Sequence, residues 1–308
     1  MIDIQTILQE IADEVKPLLG QGKVADYIPA LAKVDPMQFA MSVTTVDGDV
    51  YSIGCSESKF SIQSISKVYS YTLALKAYRD TLYERVGREP SGNPFNSLVQ
   101  LEYEAGIPRN PFINAGALLV SDTLISHYHD KKRSLDAIMG LITQSSDTDT
   151  IFIDHEVSRS EREHGFRNVA LTNLMKSFSN INNDIEDVVE NYFRQCSVSM
   201  TTQELSRSML FLAHAGVDPI TNKEFITPRQ TKRINATMLT CGHYDASGDF
   251  AFKVGLPGKS GVGGGIIAVV PNEMSIAVFS PALNSYGNSL VGTEALSLFT
   301  TKTGLSIF

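Results

Sequence analysis

The chain has only three cysteines, Cys55, Cys196 and Cys241, an odd number with no Cys-x-x-Cys pair. That pattern excludes a disulfide-built scaffold and fits a reducing compartment. None of the three has a metal-type partner pattern. Apart from His127 and His129, the histidines are scattered, so neither a metal nor a cofactor is expected. Long apolar runs are missing too. The longest, such as 266–270, are the size of a strand, far from the roughly 20 residues a membrane helix needs. The opening Met-Ile-Asp-Ile-Gln has neither the basic segment nor the apolar core of a secretory signal. There is no internal repeat, no low-complexity linker and no excess of positive charge. The 26 Lys+Arg against 34 Asp+Glu leave −8. An acidic surface argues against nucleic acid and anionic membrane as main partners. These absences point to a cytoplasmic protein acting on small molecules.

What is present is enough apolar residue, 43%, against 19% charged, to build a sizeable core from 308 residues. The 3.6-residue periodicity of Ile4, Ile7, Leu8, Ile11, Val15, Leu18 and Leu19 predicts a helix over 3–19, stopped by Gly20. Stretches 39–46 and 50–53 read as a hairpin around Asp47-Gly48. A helix is expected over 64–78. Mostly helical signals then run to about 215, broken by loops at 87–96 and 106–114. Thr201 or Thr202 is expected to cap a helix reaching His214, and Pro228 to open another. Further on, 250–254, 265–270 and 275–279 read as strands, and 288–302 as a closing helix. The pattern predicts an α/β (α+β) fold. Residues 1–75 and 220–308 would form a discontinuous sheet-helix domain and 76–219 an inserted helical domain, with a cleft between the lobes.

Ser64-Ile65-Ser66-Lys67 carries the first chemical signal. Residues three apart share a helix face, so Lys67 can stand beside the Ser64 hydroxyl, with Ser66 turned away. Serine needs a base to become a nucleophile, and lysine serves as one when burial depresses its pKa. Ser-x-x-Lys is also the signature of penicillin-recognising enzymes. A second copy, Ser56-Glu57-Ser58-Lys59, sits in a polar loop and reads as a solvated turn. Late in the chain, Lys259-Ser260-Gly261 heads the glycine run 261–265, whose amides can form an oxyanion hole or a plain hairpin turn. Lys302-Thr303-Gly304 reads as a helix end. Ser91-Gly92-Asn93 and Tyr286-Gly287-Asn288 only loosely match a Ser-Asp-Asn element and read as loops.

Specific stretches extend this pattern. They are 22–31 (GKVADYIPAL), 63–67 (QSISK), 110–117 (NPFINAGA), Ser160-Glu161, Arg167-Asn168, 241–244 (CGHY) and 254–262 (VGLPGKSGV). In this order they resemble the serine-dependent glutaminases, relatives of the β-lactamases, from about residue 20 to 300. The resemblance implies a β-lactamase/transpeptidase-like fold: an antiparallel sheet flanked by helices, plus an all-helical lobe. It implies hydrolysis of L-glutamine through an acyl-enzyme on Ser64, with Lys67 and Tyr244 as catalytic partners and the Val262 amide in the oxyanion hole. Substrate contacts would fall on Tyr27, Asn114, Glu161, Asn168 and Tyr192, and the family points to a homo-oligomer, a dimer or tetramer. The residues' own chemistry leaves other roles open. Glu161 suits an α-ammonium, or a solvated face with Arg162 and Glu163. Asn114 suits a substrate, or an N-cap before a helix starting at Ala115. Tyr27 can plug the cleft, Tyr244 can be a turn residue, and Asn168 and Tyr192 can be ordinary loop and core packing. The runner-up functions are a serine hydrolase of β-lactams or peptides, and a non-catalytic amino-acid-binding protein.

Overall fold

The computed structural model describes residues 3–92 and 94–308. Met1, Ile2 and Asn93, which belong to two of the segments weighed above, lie outside the described residues. Helix α1 (Ile4–Val15) starts where the Asp3 carboxylate accepts from the Thr6 amide, and it buries Ile4, Leu8, Ile11 and Val15. It ends sooner than expected: a 3-10 turn at Lys16–Leu18 holds Pro17, which cannot continue the helical ladder. Strands β1 (Ala40–Thr45) and β2 (Val50–Gly54) form the expected hairpin. The two-residue β3 (Phe60–Ser61) leads through a 3-10 turn at Gln63–Ile65 into α2 (Ser66–Tyr78). Next come α3 (Leu98–Tyr103), α4 (Asn114–Tyr128) and α5 (Lys131–Ser146). A second two-residue strand, β4 (Phe152–Ile153), precedes α6 (His155–His164), α7 (Phe166–Ser177) and α8 (Ile185–Cys196). Strand β5 (Val198–Met200) lies between β3 and β4 in a small antiparallel sheet.

The chain continues through α9 (Thr202–Ser208), α10 (Leu210–Ala213), α11 (Pro228–Cys241) and α12 (Ser247–Lys253). It closes with β6 (Gly258–Ser260), β7 (Gly265–Val270), β8 (Met274–Phe279) and α13 (Leu290–Thr303). The main sheet has the order β2-β1-β8-β7-β6 and is antiparallel throughout. Strands from the two ends of the chain meet in it, with Ala40 opposite Phe279.

Both faces of this sheet are covered, which is why β7 and β8 read as continuous apolar runs. Alternate residues separate the two cores. Met41, Val43, Ile266, Ala268, Ile276 and Val278 pack with α1, α12 and α13. Ala40, Ile267, Val269, Ala277 and Phe279 pack with the helices of the middle segment. Helix α9 meets the sheet through paired hydroxyls, Ser42 with Thr202 at 2.7 Å and Thr44 with Ser206 at 2.8 Å.

Two elements differ from expectation. Residues 250–254 are not a strand: most of them lie in α12. The alternation of Phe250, Phe252 and Val254 suggested a period of two, but Phe250 and Val254 are four apart and share one buried helical face, while Phe252 is 88% exposed. The edge strand is β6 instead. The helix expected to reach His214 breaks at Met209 into α9 and α10. The Ser206 carbonyl accepts from the Ser275 hydroxyl as well as from the Met209 amide three residues on, and the Ser206 and Ser208 hydroxyls bond back to carbonyls three residues earlier.

Helices α2 and α4 are buried nearly all round, the mark of central rather than surface helices. A buried carboxylate ties α4 to its surroundings. Asp122 is fully buried, pairs with Arg85 at 2.7 Å, and accepts from the backbone amides of Asn182 and Asn183 at 3.0 and 2.8 Å. Asp122→Ala leaves an uncompensated arginine and two unpaired amides, so we expect a loss of about 3–5 kcal/mol. Chemical denaturation measures it; a loss under about 1 kcal/mol would mean that water replaces the carboxylate.

Candidate active site

The 3-10 turn after β3 sets Ser64 three residues ahead of Lys67. Ser64 opens onto a cavity of about 420 Å³ whose walls include Tyr27, Asn114, Glu161, Asn168, Tyr192 and Val262. Seven of the residues expected at the site thus line one space, although they come from segments as far apart as 27 and 262. Lys67 and Tyr244 stand behind it, with the Lys67 ammonium nitrogen 5.4 Å from the Tyr244 ring and 5.7 Å from the Tyr192 ring. A larger cavity, about 850 Å³, opens beside Lys76–Thr81 and the start of α11, but its lining holds no serine or cysteine.

Lys67 is fully buried. It donates to the Phe112 carbonyl at 3.0 Å and to Asn114 Oδ1 at 2.7 Å. Burial depresses its pKa to about 8, against the opposing pull of Cys196 and Glu161. A neutral amine has two N–H bonds and one lone pair, and these two acceptors satisfy both bonds. Asn114 is a hub. Its Oδ1 also accepts from the Tyr192 hydroxyl at 3.3 Å, and its Nδ2 donates to Asn168 Oδ1 at 3.0 Å. It is therefore not the N-cap of α4. It is the first helical residue, and the amides of Phe112 and Ile113 are taken by Asn110 Oδ1 instead.

Glu161 is buried, so the solvated-face alternative falls away for it. Burial pushes its carboxyl up to about 7, while a hydrogen bond from Gln63 and the charge of Lys67 work the other way. Tyr27 rims the mouth and is 52% exposed. Tyr244 is buried at φ +58°, a backbone region costly for a side chain with a Cβ. Its hydroxyl faces Ser64 and is otherwise without a partner among the described residues; burial raises its pKa far above that of free tyrosine. Phe95 packs against its ring, tilted by 35°, at 4.8 Å between centroids.

The glycine run serves as both strand and turn. Lys259 and Ser260 belong to β6, and Gly261–Gly264 close the hairpin into β7. A Cβ at Gly261 would stand 2.4 Å from the Ile62 carbonyl, and one at Gly263 2.2 Å from that of Ser61. Only glycine lets this loop lie flat on the segment before Ser64, and that contact brings Val262 to the cavity. Lys259 is a second fully buried lysine, bonded to the carbonyls of Gly242 and Ser260 at 2.9 and 2.6 Å. Burial and then the charge of Lys67 hold its pKa well below the usual lysine value.

The other motifs resolve as scaffold. Lys59 pairs with Glu204 at 2.5 Å, and Gly304 ends α13 at φ +71°. Asn288 is more than loop, since its Oδ1 accepts from Ser260 at 2.5 Å. Sequence reasoning missed Gln63, Phe95 and the Phe112 carbonyl. A backbone acceptor has no sequence signal at all, and the loop composition around 87–96 gave no hint that Phe95 turns inward. Among the described residues, no group of His, Cys, Asp and Glu is disposed to hold a metal, and no helix is long and apolar enough to cross a membrane.

An antiparallel sheet covered by helices, with Ser-x-x-Lys at a buried helix start and Lys-Ser-Gly on the edge strand, is the β-lactamase-like fold. The chain belongs to the glutaminase family, whose model matches residues 22–308. It is 60% identical to a glutaminase of Aliarcobacter butzleri over 307 residues, covering 100% of both chains. It is 55% identical to one of Agrobacterium fabrum, covering 100% of this chain and 99% of the other. A solved structure of a probable glutaminase from Bacillus subtilis superposes with a TM-score of 0.90 at 34% identity, covering 100% of this chain and 98% of that one, in a complex with 6-diazo-5-oxo-L-norleucine.

The burial of Lys67 has a thermodynamic consequence. Unfolded, a lysine holds its proton to about 10.5; folded, Lys67 releases it near 8. Between those values the unfolded chain binds the extra proton, so stability rises with pH from 8 to 10.5, and below 8 the full cost applies. That cost is on the order of 3 kcal/mol, at about 1.4 kcal/mol per tenfold. We expect Lys67→Met to abolish turnover yet melt at a higher temperature at pH 7, with the gain shrinking towards pH 10. A lower melting temperature at pH 7 would mean that the lost bonds to Phe112 and Asn114 outweigh the relief.

Proposed function

We propose that this glutaminase hydrolyses the side-chain amide of free L-glutamine through an acyl-enzyme on Ser64. The observation that carries the reading is the buried Lys67 amine, with both N–H bonds taken by Phe112 and Asn114, and with Ser64 three residues ahead of it in the turn that enters α2. Neutral Lys67 takes the Ser64 proton, and Oγ attacks the amide carbon. The backbone N–H groups of Ser64 and Val262 hold the oxyanion. The C–N bond breaks as a proton passes, with Tyr244 in the relay, to the leaving nitrogen, and ammonia departs. Water then attacks the ester, gives up its proton by the reverse route and releases glutamate. Glu161 faces the substrate α-ammonium; Asn114, Asn168, Tyr192 and Tyr27 hold the amino-acid end. The Bacillus subtilis relative's ligand supports this reading, because 6-diazo-5-oxo-L-norleucine has the amino-acid end of glutamine with a diazoketone in place of the amide. Full-length similarity to glutaminases also favours this substrate over β-lactams and over mere binding.

We assign the same lobes as the sequence suggested: 1–75 with 220–308, and 76–219. The shared sheet of β1, β2 and β6 to β8 supports the first. A cytoplasmic homo-oligomer fits the unpaired thiols and the family.

Ser64→Ala should cost several orders of magnitude in kcat with an unchanged melting curve, while Ser56→Ala keeps activity. In the parent enzyme kcat should rise with pH through about 8, as Lys67 loses its proton, and then level off. A kcat flat from pH 6 to 9, with chemistry limiting, would sink the lysine base.

Glu161→Gln should lower kcat/KM for free glutamine by about ten- to two-hundredfold, the worth of a charge-assisted bond of roughly 1.5–3 kcal/mol. The loss should shrink for an N-acylated glutamine, which has no ammonium. Equal losses on both substrates would show that Glu161 does not read that group.

A further inference from the structure

The Lys-Ser-Gly motif brings more to the site than its glycine turn. Lys259, on the edge strand β6, is fully buried, and the mechanism above makes no use of it. Its amine donates to the Gly242 carbonyl at 2.9 Å and to the Ser260 carbonyl at 2.6 Å. Two acceptors satisfy both N–H bonds of a neutral amine. Gly242 follows α11 directly and stands two residues before Tyr244. Its carbonyl also accepts from the Ser260 amide at 3.3 Å. A Cβ on Gly242 would lie 1.7 Å from the Gly258 carbonyl, so only glycine lets this turn rest flat on β6. From the same position the Lys259 nitrogen is 4.2 Å from the centre of the Tyr244 ring and 5.9 Å from that of Phe112.

Tyr244 needs such support. It sits at φ +58°, and apart from Ser64 its hydroxyl has no partner among the described residues. No scaffold hydrogen bond fixes that hydroxyl, so ring and backbone contacts place it. Phe95 supplies one ring contact, and Lys259 reaches both the turn that carries Tyr244 and the ring itself. We infer that Lys259 is a positioning residue for proton transfer: it pins the Gly242 turn to β6, braces the Tyr244 ring, and so keeps the Tyr244 hydroxyl in place for the reaction. It acts on the chemical step and not on the amino-acid end of the substrate, because it does not line the cavity. The inference rests on the reading of Tyr244 as the proton relay of the glutaminase.

Lys259→Met keeps the length of the side chain and removes its N–H bonds. The experiment measures kcat and KM for glutamine from pH 6 to 9 in the parent, Lys259→Met, Tyr244→Phe and the double variant. It also records fluorine NMR of fluorotyrosine placed at position 244, with and without Lys259→Met. We expect Lys259→Met to lower kcat about tenfold to a hundredfold while KM changes less than about threefold, the pattern of a contact that serves the transition state. On the Tyr244→Phe background the same change should cost under about twofold, because the two residues act as a unit. The midpoint of the rise in kcat with pH should stay within about half a unit, since Lys67 keeps its own acceptors. The fluorine resonance should shift or broaden. If the methionine variant does not fold, Lys259→Gln, one atom too short to reach the ring and both carbonyls, is judged by the same figures. A Tyr244→Phe enzyme with parental kcat overturns the relay reading and this inference with it. A costly Tyr244→Phe with additive losses, a rise in KM with kcat unmoved, or an unchanged fluorine resonance overturns the role of Lys259 alone. So does a Lys259→Met enzyme with parental kcat and KM. A midpoint displaced by more than about one unit would mean that Lys259 acts on Lys67 instead, and also overturns it.

Discussion

The burial of one amine is the constraint on which the rest of the site depends. Lys67 can act as a base near neutral pH only if it is kept from water, and a buried amine is tolerable only if its N–H bonds find acceptors. Both acceptors come from the entry to α4, the Phe112 carbonyl and Asn114 Oδ1. The packing of α2 on α4 is therefore the frame of the chemistry as well as of the core. Lys259 repeats the device from β6, and the charge of Lys67 adds to burial in making it harder to charge. Glu161 is the counterweight: its charge favours the proton on Lys67, and the lysine's charge favours its ionisation. An arriving zwitterionic substrate enters a site whose own charges are finely balanced.

Such a site opposes folding. It holds buried ionisable groups, a tyrosine hydroxyl that faces Ser64 and is otherwise unpartnered among the described residues, and two side-chain-bearing residues, Gln63 and Tyr244, at positive φ. Strain of this kind persists only where the surroundings over-determine it. Here those surroundings are the five-stranded sheet with apolar residues on both faces, the buried helices α2 and α4, and anchors such as Asp122 with Arg85. The close approach of the Gly261–Gly264 loop to Ser61–Gln63 is the meeting line, where the edge of the sheet touches the turn that carries Ser64.

Much of the fold was legible because periodicity reports burial. The hairpin of β1 and β2, strands β7 and β8, and the helices at both ends follow from apolar spacing alone. Misreadings arose where two periods fit the same few residues, as at Phe250, Phe252 and Val254, or where a distant hydroxyl bonds a carbonyl at a helix end, as Ser275 does to Ser206. The proximity of Ser64 and Lys67 in the chain was legible because they are three residues apart. The scaffold role of Lys59 was not, because Glu204 lies far along the chain.

By itself the sequence determined the local terms: which segments are helix or strand, where glycine permits close approach, and that a serine and a lysine share one face. Those depend on neighbours within a turn or two of chain. Only the tertiary structure decided that Lys67 is dry, that Asn114 holds it across 47 residues, that Tyr192 reaches the same oxygen across 78, and that Glu161 is buried beside them. Such properties depend on which surfaces exclude water, and that is settled when distant segments pack together, not by the residues along any one of them.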